Sequence, residues 1–222
     1  MKNDIEIINE NALKNNFTLI ITRVSHFVNT SRSTVVEHGL VIIVDISGFT
    51  KFVFETELIA GQNIVSDLLL SIINANKLNL NIAEIEGDAV FFYRFGNAPS
   101  QKEIIAQYEE MLYEFFNTVS SISEETGIKL PLSIKMIAHY GDIAQYQLKG
   151  FDKLYGKVVT EAHLLLKNDH DSHSYVLMTD DYLNQVDIHR TDGTYLYNSR
   201  CEILRGAKVC YSTVDYSTCP SI

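Results

Sequence analysis

Two aspartates set beside glycine turns are the residues of this chain best suited to chemistry. Asp45 ends the apolar run Gly39-Leu-Val-Ile-Ile-Val and opens Asp45-Ile46-Ser47-Gly48-Phe49-Thr50, and Asp88 follows Gly87 in Glu86-Gly87-Asp88. A carboxylate is the ligand a hard cation such as Mg2+ prefers, and amides at a helix start can hold phosphate oxygens. Two carboxylates brought together repel unless a cation or a proton lies between them, so such a pair is either a metal site or a pair with a raised pKa. Taken singly, each acid is an ordinary turn or cap residue. Their joint context brings the metal reading forward.

The acids need elements to position them. Gly39–Asp45 reads as a buried central strand that delivers Asp45 to the edge of a sheet. Apolar residues at Ile64, Leu68, Ile72 and Ala75 predict a helix over Ala60–Ala75 that crosses the sheet. Residues 78–86 and 88–95 then read as a hairpin with Asp88 at its turn. Ser100 with Glu103 makes a capping box ahead of Ile104, Tyr108, Met111, Phe115 and Val119, the clearest helical pattern in the chain.

Further on, Pro131–Ala138 reads as a strand, with Gly141 and Gly150 bounding a return strand through Tyr146. Val158–Lys167 reads as a helix, Tyr175–Met178 as a strand, Asp180–Val186 as a short helix, and residues 194–198 and 207–214 as a closing strand pair. The order βαββαβ with later αβ additions predicts an α+β fold, a ferredoxin-like core with helices over one sheet. Residues 1–36 are an extension without a readable pattern, 37–215 the domain, and 216–222 a tail.

Composition narrows the function. With 46% hydrophobic and 21% charged residues the chain is globular rather than disordered. Its 28 acidic against 18 basic residues give a net charge of −10, which repels nucleic acid, although one metal ion can reverse the field locally for a small anion. Apolar runs such as Leu40–Val44 are far too short for a membrane span, and the start lacks a secretory pattern, so a soluble cytoplasmic protein is expected. Cys201, Cys210 and Cys219 are then expected to be reduced structural thiols. His139, ahead of Gly141, reads as a structural histidine at a strand end, and Asp169–His173 as a solvated loop. Gly150–Lys157 departs from a phosphate loop in spacing, and Val158 stands after it where Ser or Thr is required.

The strings DISGFT at 45–50, EIEGDAVFF at 84–92, HYG at 139–141 and YGKVVTEAHLL at 155–165 share order and spacing with class III adenylyl and guanylyl cyclases. The resemblance runs from about residue 38 to 213, and the wording DISGFTKF and EIEGDAVFFY looks closest to an uncharacterised bacterial family of cyclase-like proteins. It implies that Asp45 and Asp88 hold Mg2+ or Mn2+, two ions in an active enzyme, with the Ile46 carbonyl as a further ligand. It also implies that amides near Phe49 and Thr50 hold the β- and γ-phosphates of a nucleoside triphosphate, that Arg205 touches the triphosphate, and that a homodimer completes the site.

The chain departs from the family where catalysis is finished. The catalytic Asn position is Thr160 and the transition-state Arg position is Leu164, with Lys167, three residues beyond, and His163 as substitute cations. At the base-reading positions stand Glu84, the guanylyl-cyclase residue type, and Lys153, which matches neither purine pattern; the two could pair. Three functions follow: a metal- and nucleotide-binding module with weak or no turnover and a sensor or regulatory role; an active cyclase using GTP or a pyrimidine triphosphate by two-metal catalysis; or a structural domain in which the acids are turn residues.

Overall fold

The computed structural model describes residues 35–168, 170–186 and 200–216. Its centre is β1 (Val35–Ser47), whose residues from Leu40 to Val44 are at most 1% exposed. Alternate side chains of a strand point to opposite faces, so a run of consecutive buried residues must be covered on both sides. Leu40, Ile42, Val44 and Ile46 pack into one core with α2 (Leu58–Asn74) and α3 (Gln101–Thr126), while Val41 and Ile43 pack into a second with α4 (Lys157–Leu165). The odd-numbered series continues to Asp45, which therefore faces the α4 side.

The other elements are α1 (Phe49–Glu55), β2 (Asn81–Glu86), β3 (Ala89–Phe95), β4 (Ser133–Leu148), β5 (Phe151–Tyr155), β6 (Tyr175–Thr179), α5 (Asp180–Leu183), β7 (Arg200–Leu204) and β8 (Ala207–Asp215). They form an eight-stranded sheet in the order β2-β3-β1-β4-β6-β8-β7, with β5 paired to β4. The order of the first four strands, with α2 and α3 on one face, is the expected ferredoxin-like core. The helix α4, one of the expected later αβ additions, covers the opposite face.

α3 begins with the capping box read from the sequence: Ser100 Oγ accepts from the Glu103 amide at 3.3 Å, and the Ser100 amide donates to Glu103 Oε2 at 2.7 Å. It is pinned to the sheet by Tyr108, whose hydroxyl donates to the Ile134 carbonyl at 2.8 Å and lies 2.9 Å from Ser174 Oγ. α2 starts at Leu58, two residues earlier than expected, because the Glu57 carboxylate accepts from the amides of Ile59 and Ala60.

Several boundaries differ from the sequence reading. Gly141 does not end a strand. β4 runs unbroken for 16 residues, with Gly141 opposite Gly39 of β1 and Val158 of α4 packed against its backbone, and the return strand is β5, after the turn at Lys149-Gly150. His139 accordingly lies within the strand and not at its end. β2 begins at Asn81, α4 stops at Leu165 and α5 at Leu183. Residues 194–198 lie outside the described residues, and β8 pairs with Arg200–Leu204. Cys201 and Cys210 face each other across β7 and β8 at 4.0 Å between Cα atoms and are joined as a disulfide, not left as thiols. Cys219 lies outside the described residues.

Candidate functional site

Asp45 and Asp88 meet through main-chain pairing. Asp45 is opposite Ala89 in the β1–β3 ladder, and the amide of Ile46 donates to the Asp88 carbonyl at 3.1 Å. Asp88 stands in the turn between β2 and β3, where Gly87 has φ of 61°, a left-handed conformation that costs glycine little. After β1 the chain turns at Gly48 (φ 88°) into α1; a Cβ there would lie 2.9 Å from the Pro131 carbonyl oxygen. Phe49, half-buried against the first core, and exposed Thr50 begin α1, whose N-cap Gly48 supplies no side-chain hydrogen bond.

The sequence reading missed the third member of this group. Lys135 is the β4 partner of Asp45, and its Nζ lies 3.1 Å from Asp45 Oδ2 and donates to the Leu166 carbonyl at 3.0 Å. The side chains of Lys135 and Asp45 are only 20% and 17% exposed. Burial raises the Asp45 pKa, and the Lys135 ammonium offsets part of that rise. Asp88 is pushed up to about 6, first by burial and then by the charge of Asp45. The group is thus two carboxylates against one ammonium.

That donor set suits a divalent ion. Mg2+ commonly takes one or two carboxylates and completes its shell with water and substrate phosphates. Burial is the larger cause of the Asp88 rise; the Asp45 charge that adds to it is what such an ion would neutralise. Among the described residues no group of three or more His, Cys, Asp or Glu converges, so the protein supplies these two acids and, at most, neighbouring carbonyls such as that of Ile46.

Glu84 and Lys153, the base-reading positions, form an ion pair of 2.6 Å with both side chains more than a third exposed. They belong to β2 and β5, which are not paired strands. Thr160 is exposed on α4, its hydroxyl 3.4 Å from the Gly156 carbonyl, and Leu164 is half-buried one turn on. Lys167 is exposed just beyond the end of α4, with its amide donating to the Leu164 carbonyl at 3.1 Å. Arg205 is exposed in the turn between β7 and β8, at φ 51°. His163 turns toward Phe91, ring edge to ring face, with Nε2 3.7 Å from Glu86.

A second polar cluster, also unread, lies further along β4. His139 Nδ1 is 2.8 Å from Thr179 Oγ1, its Nε2 is 3.1 Å from Glu161 Oε2, and Lys157 Nζ is 3.2 Å from the other Glu161 oxygen. Thr179 accepts from the Tyr182 amide, so its hydroxyl hydrogen is free to go to Nδ1, leaving Nε2 to donate to Glu161. Burial holds the His139 pKa down, and Glu161 offsets part of this. A cleft of about 540 Å3 opens beside this cluster, bordered by His38, Tyr140, Tyr155 and Asn184. It touches neither Asp45 nor Asp88.

Comparison with known proteins locates this architecture. The family described as "Protein of unknown function (DUF2652)" matches residues 65–175, a span that holds Asp88, Lys135, His139, Lys153 and Glu161 and leaves Asp45 outside. "Uncharacterized protein Rv2561/Rv2562" of Mycobacterium tuberculosis (strain ATCC 25618 / H37Rv) is 31% identical over 123 residues, 52% of this chain and 57% of that protein's length. The adenylyl cyclase CyaB from P. aeruginosa superposes with a TM-score of 0.64 at 17% identity, covering 84% of this chain and 98% of that one. The guanylyl cyclase Cya2 gives 0.64 at 13%, covering 85% and 97%. The guanylate cyclase domain of RhGC from Catenaria anguillulae, in complex with GTP, gives 0.53 at 15%, covering 81% and 97%. The fold is that of nucleotide-cyclase catalytic domains, and the chain belongs to the DUF2652 family.

Proposed function

We propose that this domain binds a divalent metal, Mg2+ or Mn2+, through Asp45 and Asp88 together with a nucleoside triphosphate, acts as a homodimer, and turns substrate over slowly or not at all in a sensor or regulatory role. The observation that carries the reading is the charge imbalance: two partly buried carboxylates stand beside one ammonium, which pairs with Asp45, and Asp88 is pushed up to about 6, first by burial and then by the charge of Asp45. A bound divalent ion would neutralise charge on the phosphates and on an attacking ribose hydroxyl. The chain's own part is to orient: β1 and the β2–β3 turn fix the two acids, amides at the start of α1 face the phosphates, and Glu84 with Lys153 reads the base. Thr160 and Leu164 supply no cation for charge developing on phosphate, a loss worth a few kcal/mol, on the order of a hundred-fold or more in rate.

The test is incubation of the purified protein with each of the four ribonucleoside triphosphates and Mn2+ or Mg2+, with binding read by calorimetry and products by chromatography. Binding lost in Asp45→Ala, with little or no product, is expected. A cyclic nucleotide formed at steady rate and lost in Asp45→Ala would instead establish the active cyclase, and no binding of metal or nucleotide would establish the structural reading. Sedimentation at micromolar concentration checks the dimer.

No helix among the described residues is long and apolar enough to cross a membrane. A cytoplasmic location is part of the proposal, and the Cys201–Cys210 disulfide stands against it. Rapid alkylation of cells followed by peptide mass spectrometry decides between them: free thiols at both positions support the cytoplasm, and an intact disulfide argues for an oxidising compartment.

A further inference from the structure

Lys135 is more than a neutralising neighbour, because of where its two partners lie. Asp45 is one of the two acids of the metal reading, and Leu166 caps the end of α4, where helix carbonyls lack partners and carry partial negative charge. One ammonium therefore serves a carboxylate and a helix-end carbonyl at once, from a side chain that is four-fifths buried. A metal ion bound to a carboxylate sits about 2 Å from its oxygen, in the region this ammonium already serves. Two cations cannot share that place without strong repulsion in a partly buried site.

We propose that Lys135 is a resident cation that an incoming divalent ion must displace from Asp45. The inference rests on the metal reading above and adds a rule to it: the nucleotide-free protein holds metal weakly because its own lysine competes. Lysine suits the part. Its ammonium is a compact charge on a flexible four-carbon stem, able to leave Asp45 without moving β4. Lys135 is in this sense a positioning residue. It keeps the acid paired until metal arrives and sets the metal concentration at which the site fills.

The test uses the full chain and Mn2+ alone, titrated by calorimetry. Lys135→Met, which keeps the length of the stem and removes the charge, should bind Mn2+ at least about tenfold more tightly than wild type, a change of about 1.4 kcal/mol. Lys135→Arg should bind like wild type, and Asp45→Asn added to Lys135→Met should abolish the gain. Should Lys135→Met fail to fold, the wild-type chain carries the test: limited acetylation read by peptide mass spectrometry should modify Lys135 several-fold faster with saturating Mn2+ than without. Unchanged or weaker affinity in Lys135→Met, or Lys135 equally protected with and without Mn2+, overturns the proposal and leaves the metal reading standing. Binding in Lys135→Met but none in wild type supports the proposal in its strongest form. No Mn2+ binding by any variant overturns both.

Discussion

Two clusters of buried charge lie on the α4 side of the same strands, and they differ in whether their charges balance. His139, Glu161, Thr179 and Lys157 form a set closed in charge: the imidazole has a partner at each nitrogen, and the one carboxylate meets that ring through Oε2 and lies at ion-pair distance from the exposed Lys157 ammonium through Oε1, which has no hydrogen bond among the described residues. Asp45, Asp88 and Lys135 form an open set, with one carboxylate in excess. A closed polar network holds a fold together, whereas an open one is stabilised by something that arrives from outside, a proton or a metal. The cleft beside the closed set does not alter this.

The largest expected effect tests the closed set. Glu161→Ala should destabilise the protein by about 3 kcal/mol in urea melts, since it leaves the buried His139 Nε2–H without an acceptor. Asp88→Asn should cost no stability, and an equal loss in both variants would erase the distinction between the clusters.

Next in size is α4, which carries Lys157 and Glu161 of the closed set and whose C-cap carbonyl accepts from Lys135 of the open one. Writing the missing pair back as Thr160→Asn with Leu164→Arg should raise any cyclisation rate by about a hundred-fold, because under the proposed function the guanidinium would meet charge developing on the phosphates. No gain in product by chromatography would show that the departure from the cyclase pattern is not confined to these two residues.

A smaller effect is expected at the base positions. ATP should bind at least tenfold more weakly than the best of GTP, CTP and UTP in Mn2+, as unpaired polar groups cost about 1–3 kcal/mol each. Calorimetry that ranks ATP first refutes this account of Glu84 and Lys153. Because both side chains are more than a third exposed, Glu84→Gln should shift the ranking while changing stability by under about 1 kcal/mol.

The smallest effect separates the clusters by pH. Asp88 has a folded pKa of about 6, above its ordinary value of 3.8, so its contribution to stability is fully present below about 4 and is lost as pH rises through 6. His139 has a lowered folded pKa, so its contribution is present above 6.5 and is lost as pH falls toward the folded value. The two oppose each other in mild acid. Asp88→Asn should therefore make the loss of stability between about pH 7 and 5 steeper, as seen in paired urea melts, and an unchanged slope would remove the case for an open set.

How much of this was legible in the sequence depends on the range of the interaction. Asp88 in a turn and the capping box at Ser100 are local patterns found in the structure, whereas Asp45, expected at a strand end, closes the β1–β3 ladder in a strand that runs on to Ser47. Lys135 was not legible, since Ser-Ile-Lys-Met-Ile reads only as an alternating strand, and its pairing with Asp45 depends on the β1–β4 register. Glu161 could have drawn notice as a charge on the helical face shared by Val158, Ala162 and Leu165. Gly141 misled because glycine ends strands more often than it admits a neighbouring helix, here through Val158.

The β1–β4 ladder also sets the order in which the molecule can be made. Asp45 can reach Asp88 as soon as β1 pairs with β3, but Lys135 arrives only with β4, whose pairing joins Val35 to Gln145. Contacts so distant along the chain form late and slowly, because the intervening loop must lose its freedom first. During that interval the two acids face each other without their ammonium, and the half-built sheet carries more of the repulsion that Lys135 reduces in the finished one. A proton or a divalent ion would relieve it, so under the proposed function refolding in stopped-flow should run faster with Mn2+ present in wild type but not in Asp88→Asn.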